Sequence, residues 1–113
     1  MQLIAEAGVY TPVDTDAVHW VEHMRTADLS VGTYSIPSGG ADAQTPHSED
    51  EVYVITSGRA VLRGESGEVA VAPGTVVFVP AGEEHRFVEL SGDFAALVIF
   101  APAEYSRAID ATR

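Results

Sequence analysis

Residues that bend a backbone interrupt this chain at short, regular intervals. Between Leu29 and Ala101 they run Ser38-Gly39-Gly40, Ser57-Gly58, Gly64-Glu65-Ser66-Gly67, Pro73-Gly74, Pro80-Ala81-Gly82 and Ser91-Gly92-Asp93. Gly supplies positive φ, Pro presets φ, and Ser and Asp bond back to their own backbone, so each cluster reads as a turn. The stretches between them are too short for stable helices and rich in Val, Ile, Tyr and Phe. Leu29–Pro37, Glu51–Thr56, Arg59–Arg63, Glu68–Ala72, Thr75–Val79, His85–Leu90 and Phe94–Phe100 are the expected strands, with Thr75–Val79 expected to be buried. Strands recurring about every ten residues, without βαβ alternation, predict an all-β sandwich or small antiparallel β-barrel.

The ends carry weaker signals. Residues 1–16 are expected to be irregular, with a short edge strand near Leu3–Ala5. Ala17–Met24 is expected to form a strand, and Glu104–Thr112 a short helix. A chain of 113 residues suits one domain. The barrel is assigned to residues 29–101, between an N-terminal segment, 1–28, and a tail, 102–113.

Charge removes some function classes. Seventeen acidic residues face six Arg and no Lys, for a net charge of −11. Such a surface repels nucleic acid and anionic membranes. With no cysteine there is no disulfide, thiolate zinc site or Cys nucleophile. The start lacks the basic and apolar regions of a signal peptide, and no apolar run is long enough to span a bilayer. A soluble, cytoplasmic protein is expected.

Two stretches carry the chemistry. Gln44–Gly58 holds His47, then Glu51 four residues later at the start of an apolar strand. Gly74–Glu89 repeats the pattern of strand and Pro-x-Gly turn and ends in His85. Side chains alternate along a strand, so Glu51, Tyr53 and Ile55 share one face, as do His85, Phe87 and Glu89. Two such hairpins can bring His47, Glu51 and His85 to one interior point. Two imidazoles and a carboxylate suit Fe(II), Mn(II), Ni(II), Cu(II) or Zn(II), and with open positions they form the facial triad of non-haem iron oxygenases. Asp42, Glu49 and Asp50 add local negative charge that attracts a cation. The other histidines, His19 and His23, read as surface or hydrogen-bonded residues.

These spacings resemble the cupin superfamily. Its first motif, G-x5-H-x-H-x3-E-x6-G, aligns with Gly39, His47, Glu51 and Gly58, with Thr45 at the first His position. Its second, G-x5-P-x-G-x2-H-x3-N, aligns with Gly74, Pro80, Gly82 and His85, with Glu89 at the Asn position. The resemblance implies a cupin-like jelly roll, or double-stranded β-helix. It also implies a divalent metal held by His47, Glu51 and His85. Thr45 is a poor ligand, and Gln44 beside it offers an amide oxygen instead. Small cupins of this kind are often homodimers that exchange an N-terminal strand.

The expected function is a metal-dependent enzyme, of oxygenase, isomerase or lyase class, on a small organic molecule. Trp20, Tyr34, Tyr53 and Phe87 would line its pocket, and Glu89 and Tyr53 are the candidate catalytic groups. The alternative is a non-catalytic ligand-binding or sensor module in which the metal is structural or absent.

Overall fold

A computed structural model describes residues 1–11 and 18–108. The strands are β1 (His19–Arg25), β2 (Ser30–Ile36), β3 (Asp50–Gly64), β4 (Gly67–Val71), β5 (Val76–Val79) and β6 (His85–Ala101). All pairing is antiparallel, in the order β1-β2-β6-β3-β4, with β5 on the free side of the first part of β3. No helix among the described residues is long and apolar enough to cross a membrane.

Ser57-Gly58 and Ser91-Gly92-Asp93 do not end strands, as their turn chemistry predicts. They lie inside β3 and β6, which run on as a bent ribbon with register shifts between Ile55 and Val61. The inner limb pairs Asp50–Ile55 with Ala96–Ala101, and the outer limb pairs Val61–Gly64 with His85–Val88. Gly58 sits at the corner with φ 74°, where a Cβ would come within 2.7 Å of the Asp93 carbonyl oxygen. Only glycine fits there, both in conformation and in space.

The ribbon doubles back so that its limbs face each other. Tyr53 on one limb meets Phe87 on the other, edge to face, with ring centroids 4.8 Å apart. Ile36, Ile55, Leu62, Val71, Phe94, Val98 and Phe100 complete the core around them. This folding carries His85, the first residue of β6, back to Glu51 near the start of β3. Alternation along β3 is as expected, with Glu51, Tyr53 and Ile55 all buried.

Several local expectations change. Ala5–Gly8 form a turn, and Leu3–Ala5 hold no strand. Gly8 and Thr11 instead lie against β2, donating backbone N–H groups to Thr33 Oγ1 and Ser35 Oγ. β5 is buried on one face only: Val79 joins the core, but Val76 and Phe78 are 62% and 60% exposed, because β5 flanks the ribbon and turns alternate side chains outward. The strand expected from Ala17 is β1. Residues 104–107 form turns, and the rest of the expected tail helix lies largely outside the described residues.

Candidate metal centre

His47 stands in the loop before β3. Its carbonyl accepts the Gly82 N–H at 2.8 Å, and Asp50 Oδ1 accepts the Ala81 N–H at 2.9 Å. The Pro80-Ala81-Gly82 turn is therefore fastened to the loop that carries His47. Glu51 follows in β3, 2% exposed, and His85 opens β6. One potential ligand atom from each of His47, Glu51 and His85 lies within 4.8 Å of the other two.

The hydrogen bonds of His85 decide which nitrogen is free. Its Nδ1 lies 2.8 Å from the Glu83 carbonyl oxygen, which can only accept, so Nδ1 carries the proton. In the neutral ring Nε2 is then a bare acceptor, 3.1 Å from Glu51 Oε1 and 2.9 Å from Tyr53 Oη. The Tyr53 hydroxyl can donate to Nε2. Glu51 Oε1 is fully buried and has no hydrogen-bond partner. Two lone pairs facing each other across 3.1 Å require a positive centre between or beside them: a proton on Nε2 or a cation. The His85 pKa reflects this. Burial lowers it, but the Glu51 and Glu83 contacts outweigh burial and leave it raised.

The donor set fits a divalent ion. Ligands about 2.1 Å from one ion, at octahedral to tetrahedral angles, stand roughly 3.0–3.4 Å apart. The His85–Glu51 pair has that spacing. Gln44 Oε1 stands 3.3 Å from His47 Nε2 and 3.1 Å from Tyr53 Oη. His47 packs edge-on against Phe100. Burial holds its pKa below the ordinary value, which favours the neutral form that ligates.

A cavity of about 450 Å³ opens at His47 and Glu51, with His85 behind its lining. Trp20 and Tyr34 form part of its wall, with Val98 and Phe100 beneath, while Gln44, His47, Glu51 and Tyr53 form its polar end. Gly32 makes room for Trp20: a Cβ there would lie 2.2 Å from the indole. Burial and the neighbouring Asp42 push the Tyr34 phenol up, and burial and Glu51 do the same to Tyr53, so both stay protonated at neutral pH.

One expected pocket residue, Phe87, and one expected catalytic residue, Glu89, are placed elsewhere. Phe87 is 1% exposed, wedged between Tyr53 and Phe94 in the core behind the cavity wall. Glu89 does not share the inward face of His85 and Phe87. It is exposed with φ 53°, and it and Leu90 together oppose Ala60 in a bulge that breaks the alternation. Thr45 is exposed.

Glu104 and Tyr105, from the turn after β6, also line the cavity and were missed in the sequence. Glu104 Oε2 lies 3.5 Å from His47 Nδ1. Burial, followed by the charges of Glu51, Glu22 and Glu49, raises its pKa to about 7. Glu49 holds this turn in place. It is 1% exposed and accepts the N–H groups of Tyr105 at 2.7 Å and Arg107 at 3.0 Å, as well as the Ser48 hydroxyl. Burial raises its pKa, but these bonds together outweigh burial and leave it lowered.

With the fold and this cluster in place, comparison with known proteins gives the family. The model of the cupin domain matches residues 32–101. The chain is a cupin. It is 42% identical over 85 residues to an uncharacterized protein of Streptomyces coelicolor, covering 75% of this chain and 81% of that one. The solved structure of TT1209 from Thermus thermophilus is 24% identical and has a TM-score of 0.71, covering 91% of this cupin and 97% of that chain. The DMSP lyase DddQ from Ruegeria pomeroyi is 21% identical and has a TM-score of 0.70, covering 88% of this chain and 54% of its own. A chain in a structure titled for the DMSP lyases RdDddP and RnDddQII is 25% identical with a TM-score of 0.67, covering 74% of this chain and 47% of that one, so this cupin spans about half the length of the chain it matches there.

Proposed function

We propose that this cupin is a metal-dependent enzyme acting on a small organic molecule bound in the cavity lined by His47 and Glu51, with His85 completing the metal site behind it. One observation carries the reading: Glu51 Oε1, buried and without a hydrogen-bond partner, lies 3.1 Å from His85 Nε2, and the Glu51 side chain lines an open cavity. A divalent ion bound there would supply Lewis-acid polarisation of a carbonyl or enolate, or lower the pKa of a bound water. Fe, Mn, Ni, Cu and Zn all suit the donors.

The chain's own groups have distinct tasks. Trp20 and Tyr34 take the apolar part of the substrate and shield it from water. Tyr53 keeps its phenolic proton and presents it to His85 Nε2 or Gln44 Oε1, so its part is orientation at the polar end. Glu104 Oε2, beside His47, is placed to hold or release a proton near neutral pH. Glu89 is exposed and does not line the cavity, so it takes no catalytic role in this reading. Lyases named among the similar folds lend support to lyase chemistry, beside oxygenase and isomerase.

A non-catalytic binding module would close every coordination position with protein groups, whereas a catalytic site keeps one open. Water-proton relaxation of the Mn(II)-loaded protein separates the two. The enzyme reading expects exchangeable water on the ion, and bound manganese without such water would contradict it.

A further inference from the structure

Asp42 lies in the loop between β2 and β3 and is 5% exposed. Its Oδ1 accepts the Tyr34 hydroxyl at 2.6 Å and the Gln44 backbone N–H at 3.2 Å. Its Oδ2 accepts the Gln44 side-chain Nε2 at 2.7 Å and the Phe87 backbone N–H at 2.8 Å. A carboxylate offers about four acceptor sites, so four donors satisfy it without water. One side chain thus ties together the cavity wall, the loop and the strand that carries His85.

The consequence falls on Gln44. An amide has a donor end and an acceptor end, and Asp42 can take only the donor. With Nε2 held against the carboxylate, Oε1 must point the other way, toward His47 Nε2 and Tyr53 Oη. The reversed amide would set oxygen against carboxylate oxygen at 2.7 Å with no proton between them. His47 Nδ1 lies 3.5 Å from Glu104 Oε2, and with the ring proton on Nδ1 toward that carboxylate the lone pair of Nε2 faces the Gln44 oxygen. Gln44 Oε1 thus lies 3.3 Å from His47 Nε2, beside the His85–Glu51 pair at 3.1 Å, so the amide oxygen joins the same group of donor atoms.

We propose that Gln44 Oε1 is the fourth protein ligand of the metal and that Asp42 is the positioning residue that holds the amide oxygen toward it. This rests on the metal-centre reading above. The resulting set has two imidazoles, one carboxylate and one neutral amide oxygen. It favours a divalent ion that accepts oxygen as well as nitrogen over a soft one.

The test is titration of the metal-free protein with cobalt(II), read by its visible absorption and by competition with a chelator. Wild type, Gln44→Ala, Asp42→Ala, Asp42→Asn and the Gln44→Ala/Asp42→Ala double variant are compared, each checked for folding by thermal melting. Gln44→Ala and Asp42→Ala should each weaken cobalt binding about 10–100-fold, the usual effect of removing an outer-shell partner or its ligand. Both should alter the visible bands as an oxygen donor is lost. The double variant should be no weaker than Gln44→Ala. Asp42→Asn should bind more tightly than Asp42→Ala, because its oxygen still accepts from Gln44 Nε2 and the Phe87 N–H, while its amide donates to Tyr34 at the cost of the Gln44 backbone N–H bond. Wild-type affinity and spectrum in Gln44→Ala overturn the ligand assignment whether or not Asp42→Ala folds. A loss in Asp42→Asn as large as in Gln44→Ala, or a further full loss in the double variant, overturns the positioning role. Wild-type protein that takes up no cobalt overturns the metal centre itself, a result distinct from any pattern among the variants.

Discussion

Replacing Glu49 with Ala should detach one wall of the cavity and cost measurable stability. In the fold its carboxylate receives two backbone N–H groups, from Tyr105 and Arg107, and the Ser48 hydroxyl. Hydrogen bonds to a charged acceptor contribute about 1.5–3 kcal/mol each, less where the freed donor can reach water. Tyr105 and Arg107 are exposed residues, so their N–H groups rehydrate once the turn lifts. Glu49→Ala should therefore lose about 2–4 kcal/mol at neutral pH. With a urea slope of about 2 kcal/mol/M, the midpoint should fall by roughly 1–2 M. The sign of the pH effect follows from the lowered pKa. The ionised form is favoured by folding, so this stability is present above the unfolded carboxylate value and is lost as pH falls through the lower folded value. Urea denaturation of wild type and variant at pH 7 measures the loss. A midpoint within error of wild type would refute the claim that this acid fastens the turn bearing Glu104 and Tyr105.

Three other outcomes follow from the same structure. Metal-loaded protein should release its ion as pH falls below about 6, because imidazole ligands must be neutral, and dialysis at stepped pH would show it; retention at pH 4 would count against His ligation. The metal-free protein should lose a component of stability as pH rises from the ordinary carboxylate value toward 7. Glu104, with its pKa raised to about 7, keeps its proton in the fold but ionises in the unfolded chain, and Glu104→Gln should flatten that slope in pH-dependent melts. Gly58→Ala should destabilise by about 1–3 kcal/mol through a strained positive φ and a backbone clash, seen as a lower melting temperature than for Gly39→Ala, where a Cβ meets nothing within 4 Å.

The ligand residues were legible because they lie on regular strands and beside tight turns. Alternation alone puts Glu51, Tyr53 and Ile55 on one face, and the two hairpin patterns mark His47 and His85. The corners were harder to read. Ser57-Gly58 and Ser91-Gly92-Asp93 have the composition of a turn, and the same residues also permit a bulge inside a continuous strand. That ambiguity misplaced Glu89: a single residue in the left-handed region turned it outward, while His85 and Phe87 kept the inward face. Phe87 faces inward as read, but the inward face has depth, and Tyr53 stands between it and the cavity. Glu49 and Glu104 gave no local signal. Glu49 sits in an acidic run that reads as solvated, and the backbone groups it holds are more than fifty residues away. Asp42 is similar: its grip on Phe87 spans 45 positions and appears only when the ribbon folds.

Elemental analysis of the purified protein, after reconstitution with each of Fe(II), Mn(II), Ni(II), Cu(II) and Zn(II) and removal of excess ion, reaches the centre of this picture. Wild type should hold close to one equivalent of at least one ion, His85→Ala and Glu51→Ala should lose most of it, and His19→Ala should keep it. No retained ion in wild type, or equal retention in all three variants, would mean that His85 Nε2 and Glu51 Oε1 are bridged by a proton and not by a metal.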